Sequence, residues 1–429
     1  MRNLKSPLSL KGRTSRLAAA TAALLCCLGA AYLSGRTGLS KLRSDDSLQS
    51  GSLAAADSAV ALTPSDPDAH YARALALSFN GAAAGDVVKE YERAAALRPR
   101  DYFLWLAVGS ARDQAGDERG AVAAYREVVS LAPFYAQPRW QLGNVLLRIG
   151  RSEEAVAELR LAAASDPKLL PAFIDLAWGA SGGDAGAVEQ LVNPNTDAWR
   201  LALSRFFVKR GKTAEALSLF RLAGGASDKE RSELLRELLT AKRFTEAYEV
   251  WASGMNGEGA RRQPITGIID PGFEERIKLD ETGFGWQIPR DLQSVRVSID
   301  QSQAREGASS LRLDWGGDSN PASTVVSQIV LVEPSARYRL RFAARTDQLV
   351  TGGPPLIAIT DPGGDESHEL ARSDLLPPGT TSWRDYTVEF ATGKETRAVR
   401  IVLRRQSCSS APCPIFGSLW LDNFSLERL

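Results

Sequence analysis

Pro99, Pro133 and Pro167 stand at a constant interval of 34 residues, and the residues between them repeat in register. Gly109 pairs with Gly143, Gly116 with Gly150, Ala121 with Ala155 and Leu97 with Leu131. A supersecondary unit copied at a fixed period buries its apolar face only against neighbouring copies, so the period dictates a stacked array before any local propensity is weighed. Arrays of this kind build extended surfaces that hold something, which points away from catalysis.

Within the unit from Ala132 to Leu161, Trp140, Leu142, Val145 and Leu146 recur at helical spacing and Gly150 marks a turn. Ala155, Val156 and Leu159 then mark the buried face of a second helix. The small Gly143 and Ala155 let the two helices approach closely, and Pro167 closes the next turn because it cannot continue a helix. The order Trp–Leu–Gly, turn Gly, Ala, Pro resembles the tetratricopeptide repeat, a helix-turn-helix unit of 34 residues. The preceding unit agrees through Gly109, Gly116, Ala121, Tyr125 and Pro133, and Tyr91 aligns with Tyr125 one unit earlier. After Pro167 the pattern decays into a glycine-rich stretch, then returns weakly around Gly211/Ala216 and Ala247/Trp251. The array is expected over 48–255. The resemblance implies a concave face that docks a protein partner, with Tyr102, Asn144 and Arg148 as candidate contacts. Solvated or packing positions are the alternative for all three.

The N-terminus adds a location. Arg2, Lys5, Lys11, Arg13 and Arg16 form a basic tail over 1–16, and 17–35 is an uncharged run of mostly Ala and Leu. A helix of roughly 20 apolar residues crosses a bilayer, and basic residues before it favour a cytoplasmic N-terminus. The expectation is a bacterial inner-membrane anchor with the body in the periplasm. A cleaved signal peptide is the alternative, because Gly29-Ala30-Ala31 resembles a cleavage site. Outside the cytoplasm Cys408 and Cys413, in a Ser- and Pro-rich loop, are expected to form a local disulfide.

Past a linker at 256–264 the texture changes. Over 265–429 short alternating runs (SVRVSID, SSLRLDW, YRLRFAAR, YTVEF, LWLDNFSLER) are separated by Gly, Pro, Asp and Ser, the pattern of a jelly-roll β-sandwich. PGFEE at 271–275, GW at 285–286, EGASSLRLDW at 306–315 and LWLDNFSL at 419–426 occur in an order that resembles the galactose-binding-like sandwich of carbohydrate-binding modules. That resemblance implies a structural calcium held by Glu274 and Asp422, with a metal-free hydrogen-bonded junction as the alternative. It also implies glycan stacking on exposed aromatic faces. Phe284 in a turn and Trp315 before Gly316-Gly317 are the expected platforms, whereas Trp383 and Trp420 are read as core.

Chemistry-bearing motifs are missing from the sequence. It has no nucleophile elbow, phosphate loop, HExxH or Rossmann fingerprint, and only His70 and His368 as histidines. The acidic loop with Asp361, Asp365 and Glu366 reads as a solvated turn. A net charge of +1 gives no support to nucleic-acid binding. The expected protein is a multidomain α plus all-β, non-catalytic envelope scaffold with no required cofactor, contacting an envelope protein and a polysaccharide during surface polysaccharide assembly or export. A purely protein-binding assembly factor and a polysaccharide-modifying enzyme are the alternatives.

Overall fold

The computed structural model describes residues 13–254, 267–292, 294–364, 368–408 and 412–429. The basic residues Arg2, Lys5 and Lys11, the linker and the acidic pair Asp365 and Glu366 lie outside them. The chain divides into two compact units, Met1–Gly183 and Asp184–Leu429.

The first unit opens with α1 (Arg13–Ser50), followed by α2 (Leu53–Leu62), α3 (Pro67–Phe79), α4 (Ala84–Leu97), α5 (Tyr102–Gln114), α6 (Glu118–Leu131), α7 (Ala136–Arg148), α8 (Ser152–Ser165) and α9 (Leu170–Ala180). Gly81, Gly116 and Gly150 turn the pairs α3/α4, α5/α6 and α7/α8 at φ of 71°, 77° and 80°, backbone that favours glycine. Inside the pairs, a side-chain carbon at Gly109 would stand 2.7 Å from the Tyr125 ring, and one at Gly143 would stand 2.6 Å from Leu159. The periodic glycines are therefore of two kinds, one for turns and one for helix contact.

The prolines have a partner that the period did not reveal. His70 Nε2 meets the Pro64 carbonyl at 3.0 Å, Trp105 Nε1 donates to Pro99 O at 2.9 Å, and Arg139 Nε donates to Pro133 O at 3.0 Å. In each repeat the residue six places after the proline returns to satisfy its carbonyl, since a turn carbonyl left unpaired is costly. At Pro167 the same offset falls on Phe173, which is apolar and buried, and there the pattern decays.

The packed array starts earlier than the repeat pattern indicates. Ser40, Ser44 and Ser47 of α1 are buried, and Ser40 Oγ donates to Ala59 O at 2.9 Å, so the second half of α1 pairs with α2. The first half is exposed throughout its apolar length. It is the one helix among the described residues long and apolar enough to cross a membrane, a test that an anchor and a signal sequence both pass.

The second unit begins with α10 (Ala185–Val192), α11 (Asp197–Lys209), α12 (Thr213–Leu222), α13 (Asp228–Thr240) and α14 (Phe244–Ala252). Ser227 and Glu230 form a reciprocal cap that starts α13. Nine strands follow among the described residues: β1 (Val295–Asp300), β2 (Ser310–Asp318), β3 (Val326–Leu331), β4 (Arg337–Thr351), β5 (Pro355–Thr360), β6 (Glu369–Arg372), β7 (Arg384–Ala391), β8 (Ala398–Arg405) and β9 (Pro414–Arg428). They form an antiparallel sheet ordered β1-β2-β9-β4-β7 and a second ordered β3-β8-β5-β6. Leu311 and Leu313, Leu340 and Phe342, and Leu419 and Leu421 from the five-stranded sheet share a core with Ile357, Ile359, Val399 and Ile401 from the other. Strands β3 and β5 are buried along their whole length, which replaces the alternation expected of a half-exposed strand.

Candidate functional site

In the first unit the first helices of successive repeats line a groove of about 360 Å³. Tyr71 and Leu75 come from α3, Phe103, Leu106, Ser110 and Gln114 from α5, and Gln137 and Gln141 from α7. Tyr91 and Tyr125, second-helix residues 34 apart, form part of its floor. Burial pushes both phenols up to about 12, so they stay neutral donors at physiological pH. The lining is aromatic, aliphatic, hydroxyl and amide, without a charged side chain.

The structure redistributes the three expected contact residues. Tyr102 lies at an inter-repeat turn, edge-on to Tyr135 with ring centroids 5.7 Å apart, outside the groove lining. Arg148 stands one period after the groove residue Gln114, but it is drawn into ion pairs with Asp113 and Glu118. Asn144 stands one period after Ser110, half-buried on the groove's continuation. Groove residues passed over in the sequence, such as Phe103 and Gln137, are themselves one period apart. Carrying Ser110 and Gln114 back from Asn144 and Arg148 would have located them.

In the second unit the two expected sugar platforms are buried, which corrects both. Trp315 is 4% exposed because it shares strand parity with Leu311 and Leu313 and points into the core. Phe284 is 1% exposed because Tyr248 and Trp251 of α14 close over it, with ring centroids at 5.1 and 5.8 Å. Trp251 Nε1 also donates to Glu281 Oε1 at 3.1 Å. Phe284 therefore docks the last helix on the sandwich.

Trp420 is the opposite case. It has the other parity from Leu419 and Leu421 and leaves the core for the outer face of the five-stranded sheet. Arg312 and Arg345 are its direct cross-strand neighbours on β2 and β4. Their guanidinium carbons lie 5.0 and 5.1 Å from the indole centroid, a cation–π clamp that keeps the ring 4% exposed. Trp420 Nε1 donates to Asp300 Oδ2 at 2.9 Å. Burial alone would raise the Asp300 carboxyl, but hydrogen bonds from Ser302 and Trp420, with Arg312 nearby, bring it down to about 2. The next cross-strand row holds Asp314, Ser418 and Asp347, with Thr380 Oγ1 donating to Asp347 Oδ1 at 3.0 Å. Beyond it Phe416 and Val350 pair at 48% and 64% exposure. This face presents an exposed ring beside carboxylates, hydroxyls and an arginine.

Glu274 and Asp422 do converge. A side-chain carbon at Gly272 would lie 3.7 Å from both Asp422 Oδ1 and Glu274 Oε1. Glu274 Oε1 accepts from Ala308 N at 2.8 Å, and Asp422 accepts from Arg305 N at 2.6 Å and Asn423 N at 2.7 Å. Burial, and then the Glu274 charge, raise the Asp422 carboxyl against these donors. Asp270, also raised by burial, accepts from Glu274 N at 2.7 Å and so holds that loop. Asp422 is fully buried and Glu274 beside it is exposed, so two carboxylates meet at the rim of the junction. Among the described residues no group of three His, Cys, Asp or Glu surrounds them, so a hard cation there would need main-chain carbonyls to complete its oxygen shell. At the opposite end of β9, Cys408 and Cys413 are disulfide-bonded with Cα atoms 5.6 Å apart. The buried Arg405 guanidinium there donates to Ser319 O at 2.6 Å and Cys413 O at 2.9 Å.

Residues 136–169 match the tetratricopeptide repeat family model, the α7/α8 pair and the turn after it. The α7/α8 pair is thus a tetratricopeptide repeat, and the C-terminal part of the chain is a two-sheet antiparallel β-sandwich. No curated protein sequence matches it. Similar solved structures include MamA (13% identity, 47% of this chain and 97% of that chain, TM-score 0.29). Others are the CBM22-1 xylan-binding domain from Paenibacillus barcinonensis Xyn10C (16%, 38% and 93%, 0.27) and TmCBM61 in complex with β-1,4-galactotriose (20%, 38% and 99%, 0.27). These likenesses assign no site residue.

Proposed function

We propose that the protein is a non-catalytic envelope scaffold, held at a membrane by the apolar half of α1, whose repeat array docks an extended segment of a partner protein. The observation that carries this reading is the uncharged groove lined by Tyr71, Phe103, Gln114, Gln137 and Gln141. Its amides pair with a peptide backbone and its rings cover apolar side chains, whereas an acidic or basic tail would be desolvated there without a counter-charge. Phe103→Glu puts a charge into the groove at a position already 49% exposed, so folding is spared. Envelope proteins co-purifying with the full chain from detergent-solubilised membranes then lose the bands that depend on the groove. An unchanged set of bands contradicts the proposal.

The outer face of the five-stranded sheet supports a second activity, glycan binding, which fits surface polysaccharide assembly or export. An exposed ring bordered by carboxylate, hydroxyl and guanidinium groups is the chemistry that recognises a pyranose through stacking and hydrogen bonds. Phe416 takes the place that Phe284 and Trp315 cannot fill. In native gels containing xylan or β-1,4-galactan the full chain is retarded, and Phe416→Ala releases it while leaving thermal unfolding unchanged. Mobility equal to that in plain gels for both forms contradicts a glycan role for this face. A calcium ion at Glu274 and Asp422 would brace the junction between the 270s loop and β9, with no part in the binding chemistry.

A further inference from the structure

We propose that the inter-repeat edge of the array lies on the bilayer that holds α1, with Tyr102, Phe134, Tyr135 and Arg100 seated in its headgroup layer. The inference rests on the reading of the apolar half of α1 as a membrane span, and on three observations.

The first is that α1 is unbroken. Its apolar run ends at Gly35, yet Arg36 Nε already bonds the Leu62 carbonyl at the end of α2, and Ser40 is buried against α2. At 1.5 Å per residue, five residues cover about 7.5 Å, so the array is fastened to α1 within the thickness of a headgroup layer. No free linker separates span from array.

The second is direction. The contacts Arg36–Leu62 and Ser40–Ala59 make α1 and α2 antiparallel, so the end of α2 returns toward the span. Asn80 donates to Gly51 O at 3.0 Å, which places the α3/α4 turn beside the α1/α2 turn, on the far edge. On the near edge Arg98 bonds Asp68 at 3.1 Å, and Tyr102 meets Tyr135. A row of contacts therefore runs from the α2/α3 turn beside Arg36, through the turn at 98–101, to the turn at 132–135.

The third is composition. That row carries Phe134 at 89% exposure, Tyr135 at 45%, Tyr102 at 40% and the exposed Arg100. Nothing in the array packs on Phe134. Aromatic rings with arginine are the side chains that settle at a membrane–water boundary, where the ring is half-wet and the cation meets phosphate. On the far edge the one exposed ring among the described residues, Phe79 at the α3/α4 turn, lies over Gly51 of the neighbouring turn, and the turns at Gly116 and Gly150 carry Asp117 and Arg151 beside glycine.

Nitroxide labels on the full chain in phosphatidylcholine–phosphatidylglycerol vesicles test this, with Cys26 and Cys27 replaced by serine. Single cysteines are placed by Phe134→Cys and Arg100→Cys on the near edge, Ala115→Cys on the far edge and Leu25→Cys in the span. All four sites are solvent-exposed, so none disturbs the core. The expected result is a several-fold higher ratio of oxygen to nickel-chelate collisions at 134 and 100 than at 115, with 25 reporting lipid. A lipid signal at 25 with equal ratios at 134, 100 and 115 overturns the docked edge and leaves the span intact. An aqueous signal at 25 overturns the span and the edge together.

Discussion

Replacing Phe284 with alanine is expected to lower the stability of the C-terminal unit by about 3–5 kcal/mol, the cost of emptying a fully buried aromatic site. The ring is 1% exposed and lies under Tyr248 and Trp251. The close fit shows at Gly283, where a side-chain carbon would fall 2.2 Å from the Trp251 ring. Loss of the ring therefore opens a cavity between α14 and the 280s loop that neither backbone can readily close. Urea unfolding followed by tryptophan fluorescence should show the drop. Trp251→Ala in the same background should add less than its effect alone, since the two rings share one contact. Retardation by polysaccharide at a temperature where the variant stays folded should match the parent chain. Unchanged stability with lost retardation would instead return Phe284 to the surface role that the sequence suggested.

Asp422→Asn carries the second large effect. The carboxylate accepts main-chain N–H groups from Arg305, Glu306 and Asn423, and an amide turns a donor toward at least one of them. A loss of about 2–4 kcal/mol is expected. The pH dependence has a definite sign. Burial and Glu274 raise the folded carboxyl above its unfolded value, so the folded chain takes up its proton at the higher pH. Without a cation the buried charge therefore costs stability at neutral pH, and that cost is relieved as pH falls through the raised pKa. Calcium acts in the reverse sense. At about 100-fold above its dissociation constant it adds about 2.7 kcal/mol near neutral pH, fading as protons compete for the same oxygens. Thermal unfolding with calcium and with chelator, at neutral pH and near pH 5, measures both effects. Equal melting temperatures with calcium and chelator near neutrality would leave the pair as a metal-free junction.

Much of this architecture was legible in residues whose backbone role is local. Gly116 and Gly150 need only their own turn, and the proline period follows from the chain's inability to continue a helix there. The strand parity that separates Trp315 from Trp420 was also present: LRLDW puts Trp315 in step with two leucines, and LWL puts Trp420 out of step with two. Reading exposure from the neighbouring glycines instead of from parity put Trp315 at the surface, whereas both rings are 4% exposed, Trp315 in the core and Trp420 beneath its two arginines. Phe284 was not legible, because its partners Tyr248 and Trp251 belong to another element and meet it only after α14 docks. The groove has the same cause. Tyr71, Phe103 and Gln141 come from three helices and converge only through stacking. Arg148 stood at a groove position by period, yet Asp113 from the preceding repeat draws it away.

Photo-crosslinking in the native envelope shows whether the array's groove holds a protein segment. A benzophenone amino acid is introduced into the full chain at Leu75 or Gln114 in the groove, and at Lys89 or Arg93 on the exposed side of α4. One discrete protein adduct is expected from 75 and 114 and none from 89 and 93. No adduct at any position, or the same adducts from all four, would contradict it.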